Sequence, residues 1–405
     1  MQWVLRGLLL VVLASSLACG PGAQPAASGA ARPSAPSGAA PAPAAAAAPQ
    51  PAAPAAAAPA PSGVQTEWDQ TLAAARQEGT VVVDGPPGDI IRRKIMDGFT
   101  SAYPGITLEW AGGTAPELAA KLEAERRAGI YALDVMIAGT NVMLTQVKNP
   151  GFLDPIKPAL ILPEVTDPAN WLDGHLEMAD NEGEYDLAFI NNPMIAAAHN
   201  PRLVKPEEID ELPKLLDPKW KGKIVISDPL AGGQGQAAFR WLWAVMGPEK
   251  ATDYIRALRA QAGAVDRDRR RMLEWIARGR YPILFNPDPT TLEQLAQEGI
   301  NIPVLQGFKD YGTYVTPGFG SLGLIKDAPH PNAAKVFLNW FLGKDGQTAY
   351  STALNSVSRR LDVSRDHIPP EFRLQPDVKY WASYKEAEAI PSPDLVALLK
   401  EVFGR

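Results

Sequence analysis

The chain has 405 residues, of which 39 are Lys or Arg and 45 are Asp or Glu, so its formal net charge is −6. This acidic balance gives no indication of a nucleic-acid partner. The single cysteine excludes a disulfide within the chain, and the length favours two lobes because single cores stop growing beyond roughly 250–300 residues.

The first predicted element is a secretory signal at residues 1–18. Arg6 precedes an apolar stretch from Leu8 to Leu13, followed by small residues, and this stretch is too short to span a bilayer. The run Ser16-Leu17-Ala18-Cys19 resembles the lipobox of bacterial lipoproteins, which implies lipid attachment at Cys19. The family usually has Leu where Ser16 stands, and an ordinary cleaved signal is the alternative.

Residues 19–63 are predicted to be a disordered Ala/Pro-rich tether. Frequent proline removes amide donors and clashes with a preceding helical turn, so a semi-extended chain is expected. At about 3.1 Å per residue, it reaches on the order of 100 Å. Function is therefore expected in the part that follows.

The chain after residue 63 begins with alternating strand and helix patterns. Strands are predicted at 80–83, 106–110 and 133–137, and helices at 89–103 and 114–129. This order predicts a parallel sheet, whose strands end at one common edge where ligands bind. The loops at this edge supply the candidate ligand-binding residues Asp84, Gly85, Thr114, Gly139, Thr140 and Asn141.

A second lobe is predicted to begin at Asn191, after the apolar strand 187–190. There a strand at 224–227 leads to Asp228 and to a glycine-rich run that contains Gly233 and Gln234. A helix is predicted from about 236 to 246, and its amino end favours an anion or carbonyl acceptor. A plain helix cap is the alternative.

Several motifs in order resemble bacterial extracellular solute-binding proteins of the ferric-iron, thiamine and phosphonate type. They are Asp217–Gly222, Phe319–Leu324, His330–Lys335, Trp340–Leu342 and Gly346-Gln347. The resemblance covers roughly residues 65–365. Taken singly, these segments are most simply packing elements of the scaffold.

The resemblance implies an α/β, two-lobed periplasmic-binding-protein-like fold of type II with a central cleft. It implies one lobe from residues 64–190 plus 313–405 and another from 191–312, with a hinge at Asn191 and around 303–316. It also implies a monomer without catalysis or cofactor, which delivers a small-molecule solute to ABC permease subunits. The implied location is the periplasmic or extracellular face of the membrane.

The solute is predicted to be polar or anionic and organic. Iron binders of this type present two adjacent tyrosines where this chain has Phe285 and Asn286, and ferric iron favours anionic oxygen ligands. Tyr314 is expected in the cleft, and Asn286 and Asp288 are further candidates, with helix capping as the alternative for both. The four histidines show no metal-ligand spacing, so no metal site is predicted. A ferric-iron-binding protein of the same family is the alternative.

Two other functional classes compete with this interpretation. A secreted hydrolase receives little support, because Phe319 breaks the Gly-x-Ser-x-Gly pattern around Ser321. A tethered sensory module would use the same fold. The arginines at 267 and 269–271 are interpreted as a solvated face, balanced by nearby aspartates or by an anionic ligand.

Overall fold

The structure is a computed structural model that describes residues 63–231 and 233–404. The predicted signal, Cys19 and nearly all of the predicted tether lie outside the described residues. Within those ranges, no helix combines the length and the apolar character needed to cross a membrane.

The described chain alternates short strands with helices. The strands are β1 Thr80–Gly85, β2 Thr107–Gly112, β3 Val135–Ala138, β4 Leu153–Asp154, β5 Leu187–Ala188, β6 Asn192–Pro193, β7 Ala197–His199, β8 Ile224–Ser227, β9 Ala262–Asp266, β10 Ile283–Phe285, β11 Val304–Leu305, β12 Thr313–Thr316, β13 Ser321–Ile325 and β14 Tyr380–Ala382. The α-helices are α1 Gly63–Glu78, α2 Asp89–Ala102, α3 Ala115–Arg127, α4 Thr140–Val142, α5 Pro163–Thr166, α6 Gly233–Met246, α7 Pro248–Gln261, α8 Arg269–Ala277, α9 Pro289–Gln297, α10 Pro331–Leu342, α11 Lys344–Leu354, α12 Glu386–Ala389 and α13 Pro393–Phe403. Helix α4 continues directly into a π-helical turn, Met143–Lys148.

The first lobe is built on a six-stranded sheet in the order β2-β1-β3-β13-β4, with β5 also paired to β13. Strand β1 runs parallel to both β2 and β3, whereas β13 is antiparallel to its neighbours. The predicted parallel βαβαβ unit is therefore confirmed. Its first helix buries Ile91, Ile95 and Phe99, which recur every four residues and so share one face.

The second lobe is built on a five-stranded sheet in the order β11-β7-β10-β8-β9. Helix α6 packs on this sheet through buried Phe239, Trp241 and Leu242. This core is a separate cluster from that of the first lobe. The chain thus forms the two-lobed α/β fold expected from the sequence.

A three-stranded sheet, β14-β12-β6, joins the lobes. Its strands have 3, 4 and 2 residues, so the connection is narrow. Strand β12 pairs parallel to β14 and antiparallel to β6. Strand β6 directly follows Asn191 and β12 lies within 303–316, the two places where the sequence predicts a hinge, whereas β14 lies outside both.

The carboxyl-terminal helix departs from the predicted division of the chain. The sequence places residues 313–405 in the first lobe, but α13 buries Leu395, Leu399 and Phe403 in the core of the second lobe. Phe403 packs edge-on to Phe239, with ring centroids 5.2 Å apart. The apolar face of α13 completes the core of the second lobe, which explains why this helix does not belong to the first lobe as predicted.

One buried amide ties a loop of the first lobe to α10. The Asn339 side chain is fully buried, and its Oδ1 accepts hydrogen bonds from the backbone amides of Ile161 (2.8 Å) and Leu162 (2.9 Å). Its Nδ2 donates to the carbonyl oxygens of Ala159 and Lys335. Every hydrogen-bonding atom of this side chain therefore has a partner inside the protein.

Replacing Asn339 by alanine should lower the free energy of unfolding by about 2–4 kcal/mol, because two buried amides lose their acceptor. Urea unfolding of both proteins measures this difference. Asn301→Ala, at an exposed position, is the control and should change stability by less than about 0.5 kcal/mol. Equal losses for both variants would contradict the structural role of Asn339.

Candidate functional site

A cavity of about 710 Å³ lies between the two lobes and is called the central cleft below. The amino end of α4 lines it from the first lobe, and α6 and α9 line it from the second. The connecting strands β6 and β12 also contribute residues. Its volume falls in the range of pockets that hold small molecules, about 300–1,000 Å³.

The central cleft brings together several of the predicted site residues. Gly139, Thr140 and Asn141 line it from the first lobe, Asp288 lines it from the second, and Tyr314 lies on the connecting strand β12. The strand-end rule places the first three at the sheet edge, because they directly follow β3. These residues are distant in sequence and adjacent in the fold.

The other first-lobe candidates do not line the central cleft. Asp84 is fully buried, and both its carboxylate oxygens lie 3.2 Å from Lys121 Nζ. Gly85 packs under the Trp110 ring, which leaves no room for a Cβ. Thr114 forms the predicted capping box with Glu117 at the start of α3. Each of these residues has a packing or capping role instead.

Three second-lobe or hinge candidates also lie outside the central cleft. Asp228 accepts a hydrogen bond from Arg267 Nε at 2.8 Å. Asn286 is buried with a positive φ of 53°, and it accepts a hydrogen bond from the Tyr314 hydroxyl. Asn191 lines a second cavity of about 430 Å³ beside the connecting strands.

The glycine-rich run meets the start of α6. Gly233 is the first residue of this helix, three residues before the predicted start. The side chain of Gln234 is outside the described residues, so its place relative to the cleft stays a prediction.

Arg240 is a cleft residue that the sequence reasoning missed. It projects from α6, and its Nη1 donates a hydrogen bond to the Glu388 carbonyl oxygen at 2.6 Å. Its Nε is buried without a hydrogen-bond partner among the described residues. Burial lowers the pKa of this guanidinium, but arginine remains protonated in proteins. The sequence feature that could have identified Arg240 is its position as the one arginine in the otherwise apolar segment Ala237–Val245.

No described carboxylate forms an ion pair with Arg240, unlike the arginines of the nearby cluster. Arg267 pairs with Asp228, Arg269 with Asp288, Arg270 with Glu274 and Glu298, and Arg271 with Asp266. Protein carboxylates therefore balance this cluster. A cation without such a partner can accept an anionic group from a ligand.

Asp288 combines a capping role with a place in the cleft wall. Its Oδ2 accepts hydrogen bonds from the backbone amide (2.9 Å) and hydroxyl (2.6 Å) of Thr291. Its Oδ1 lies 3.2 Å from Arg269 Nη1. The carboxylate thus caps α9 while it holds Arg269 at the cleft, so much of its charge is already neutralised.

Tyr314 is a poor candidate for a metal-binding phenolate. Its side chain is buried, and burial holds the pKa of its phenol well above the usual range. Its hydroxyl donates a hydrogen bond to Asn286 Oδ1 at 3.2 Å. In the described part of the chain, no group of three or more His, Cys, Asp or Glu side chains could hold a metal ion.

A buried polar chain supports the first-lobe wall of the cleft. The Thr140 and Ser321 hydroxyls are 2.7 Å apart, and Ser321 Oγ donates to Asp186 Oδ2 at 3.2 Å. Asp186 is fully buried, and its Oδ1 has no partner among the described residues. Burial raises the pKa of the Asp186 carboxyl well above its usual range.

Comparison with known proteins agrees with this architecture. The family model described as "Bacterial extracellular solute-binding protein" matches residues 79–352. An uncharacterized protein of Haemophilus influenzae is 25% identical over 304 residues, which are 74% of this chain and 83% of that protein.

Solved structures share the fold at low sequence identity. Trichodesmium IdiA (FutA), in complex with iron and citrate, is 18% identical with a TM-score of 0.63, and the match covers 81% of this chain and 100% of that one. An ABC transporter structure from Clostridium perfringens is 16% identical with a TM-score of 0.61, over 80% and 97% of the two chains. These likenesses show the fold alone.

Replacing Asp186 by asparagine should flatten the pH dependence of stability. A carboxyl whose pKa is raised on folding binds a proton in the folded state, so its contribution is present at about pH 4 and is lost as pH rises towards the raised pKa. Urea unfolding at pH 5, 6, 7 and 8 measures this slope. Asp97→Asn, at an exposed position, should leave it unchanged, and parallel curves for Asp186→Asn and the parent would contradict the expectation.

Proposed function

Because the chain belongs to the family of bacterial extracellular solute-binding proteins, we propose that it is the substrate-binding component of an ABC importer. In this proposal it captures a small polar or anionic organic solute in the central cleft and delivers it to a membrane permease. The observation that carries the proposal is Arg240, a cation in the cleft without a carboxylate partner among the described residues. The protein would bind its solute without catalysis.

The charges around the cleft favour an acidic group on the solute. Asp288 and Arg269 form an ion pair across 3.2 Å. Glu293 also lines the cleft, but its carboxylate accepts a hydrogen bond from Asn355 Nδ2, and burial raises its pKa, so Arg240 is the cation that remains for a ligand. A carboxylate or phosphonate can approach a guanidinium through two parallel hydrogen bonds. The amino end of α4, where Gly139 makes no side-chain cap, adds a second favourable location for negative charge.

The remaining lining favours an organic body over a bare metal ion. Phe372, Leu354 and Val142 supply apolar surface, and Thr290 and Gln294 supply polar groups. The two tyrosines that line the cleft are already hydrogen-bonded inside the protein: the Tyr314 hydroxyl donates to Asn286 Oδ1, and the Tyr384 hydroxyl accepts from Arg359 Nη1. A cavity of this size and mixed character suits a small organic anion.

Solute capture would proceed by closure of the two lobes. Residues 64–190 and most of 313–405 would form one moving body, and 191–312 with α13 the other. The hinge would lie at Asn191 and within 303–316, where the connecting strands are short. A solute that contacts both lobes would hold the cleft closed, and a permease would recognise that form.

Replacing Arg240 by glutamine should weaken binding of the cognate anion at least tenfold, because a charge-assisted hydrogen bond contributes about 1.5–3 kcal/mol. The ligand is found by the melting temperature of the ligand-free protein with a panel of carboxylates, phosphonates, ferric citrate, thiamine, spermidine and sugars. At a hundred times its dissociation constant, a ligand adds about 2.7 kcal/mol. Titration calorimetry then compares the variants.

The matched control is Arg256→Gln, which removes an arginine that pairs with Glu401 on α13 and does not line the cleft. It should bind the anion as the parent does. A rise in melting temperature with ferric ion, and none with any organic anion, would overturn the proposed solute class. Equal affinities for Arg240→Gln and the parent would remove Arg240 from the site.

We also propose that residues 1–18 are a signal, that Cys19 carries the lipid, and that residues 19–63 tether the protein at the outer face of the cell membrane as a monomer. Replacing Cys19 by serine should move the protein from the membrane fraction to the soluble fraction of the host cell envelope. Mass spectrometry of the mature amino terminus gives the acyl mass directly. An unmodified Cys19 would leave an ordinary cleaved signal as the explanation.

A further inference from the structure

The short helix α12 contacts both lobes through residues on opposite sides of the cleft. Asn141 Nδ2 of the first lobe donates to the Ala389 carbonyl oxygen at 3.0 Å. Arg240 Nη1 of the second lobe donates to the Glu388 carbonyl oxygen at 2.6 Å. The last two carbonyls of α12 therefore set the directions of two cleft side chains.

Glu386 fixes α12 to the first lobe. Its carboxylate oxygens lie 3.0 and 2.8 Å from Lys148 Nζ, and Oε2 also accepts a hydrogen bond from the Asn181 amide at 2.8 Å. The two charged side chains are only 11% and 12% exposed, so water screens this pair weakly. The Glu386 amide adds a hydrogen bond to the Ala179 carbonyl oxygen.

We infer that Glu386 is a positioning residue for the central cleft, although it does not line the cleft itself. It holds α12 in place, and α12 in turn orients Arg240 and Asn141 and links the two lobes in the arrangement of this structure, which is called closed below. This inference rests on the proposed role of the cleft as the solute site. Loss of the Glu386 contacts frees α12 from the first lobe, whereas loss of Arg240 removes only its side-chain hydrogen bond to the second lobe.

The position of α12 in the chain makes this link effective. The helix follows the connecting strand β14 and precedes α13, which packs in the second lobe. Residues 390–392 alone join the two helices, so a shift of α12 transmits directly to the second lobe. Loss of the Glu386 contacts should therefore change the lobe separation as well as local order.

The test measures the distance between the lobes without any solute. Dyes are placed at Ser101→Cys on α2 and Asp253→Cys on α7, both at exposed positions, in the full chain carrying Cys19→Ser, which has no other cysteine. Single-molecule energy transfer then gives the ratio of open to closed molecules. Glu386→Gln and Arg240→Gln should each raise this ratio about tenfold, since each loses a charge-assisted contact.

The double variant decides whether the two residues act through one link. Glu386→Gln with Arg240→Gln should match Glu386→Gln alone within about twofold, because the Arg240 hydrogen bond no longer bridges the lobes once α12 is free of the first lobe. Additive effects, roughly a hundredfold in total, would overturn the inference. So would a Glu386→Gln variant that loses stability in urea while its open-to-closed ratio stays at the parent value.

The control is Glu298→Gln, which breaks an ion pair with Arg270 inside the second lobe. It should leave the ratio unchanged, and an equal opening by this variant would also overturn the inference. Ligand binding tests the proposed function separately from this measurement of lobe opening. If no panel anion binds but the two single variants open the lobes, the positioning role stands and the solute class falls.

Discussion

The cleft depends on one constraint: the chain builds two hydrophobic cores that are each closed on their own. Helices and a sheet surround Phe99, Phe337 and Phe341 in the first lobe, and a separate set surrounds Phe239, Trp241 and Phe285 in the second. Short strands, the α12 segment and single side-chain hydrogen bonds such as Asn355 to Glu293 connect them. Because neither core needs the other for its burial, the boundary between them can stay polar and open to a ligand.

Charge is distributed according to the same division. Within each lobe, arginines meet carboxylates, as in the cluster at 267–271. At the boundary, Arg240 instead meets a backbone carbonyl oxygen, which stabilises its charge less than a carboxylate does. Arg240 thus lies in the cleft wall without an ion pair among the described residues, and α12 supplies its hydrogen-bond acceptor.

Much of the first lobe could be predicted from periodicity, because each element shows one clear apolar pattern. The spacing of Ile91, Ile95 and Phe99 predicted α2, and the capping box at Thr114 predicted the start of α3. The strand-end rule located the sheet edge that holds Gly139 to Asn141. It did not distinguish them from Asp84 and Gly85, since an ion pair and an aromatic ring determine which strand ends face the cleft.

The rest required contacts between residues distant in sequence. Arg240 sits inside an apolar helix, where no local pattern shows which wall it faces. The sequence pattern of α13 shows one apolar face that could cover the core of either lobe. The contacts of the folded chain place it on the second. Glu386 gains its partners from residues 148 and 181, more than 200 positions away.

The amino-terminal helix gives the two lobes unequal mechanical roles. Helix α1 packs in the first-lobe core through Trp68 and Ala75, and Glu78 accepts hydrogen bonds from the amides of Asn332 and Ala333 in α10. Any force that reaches Gly63 along the preceding chain is therefore borne by the first lobe. If the protein is anchored as proposed, the second lobe would be the part that moves, and closure would bring the wall that carries Arg240 towards a stationary first lobe.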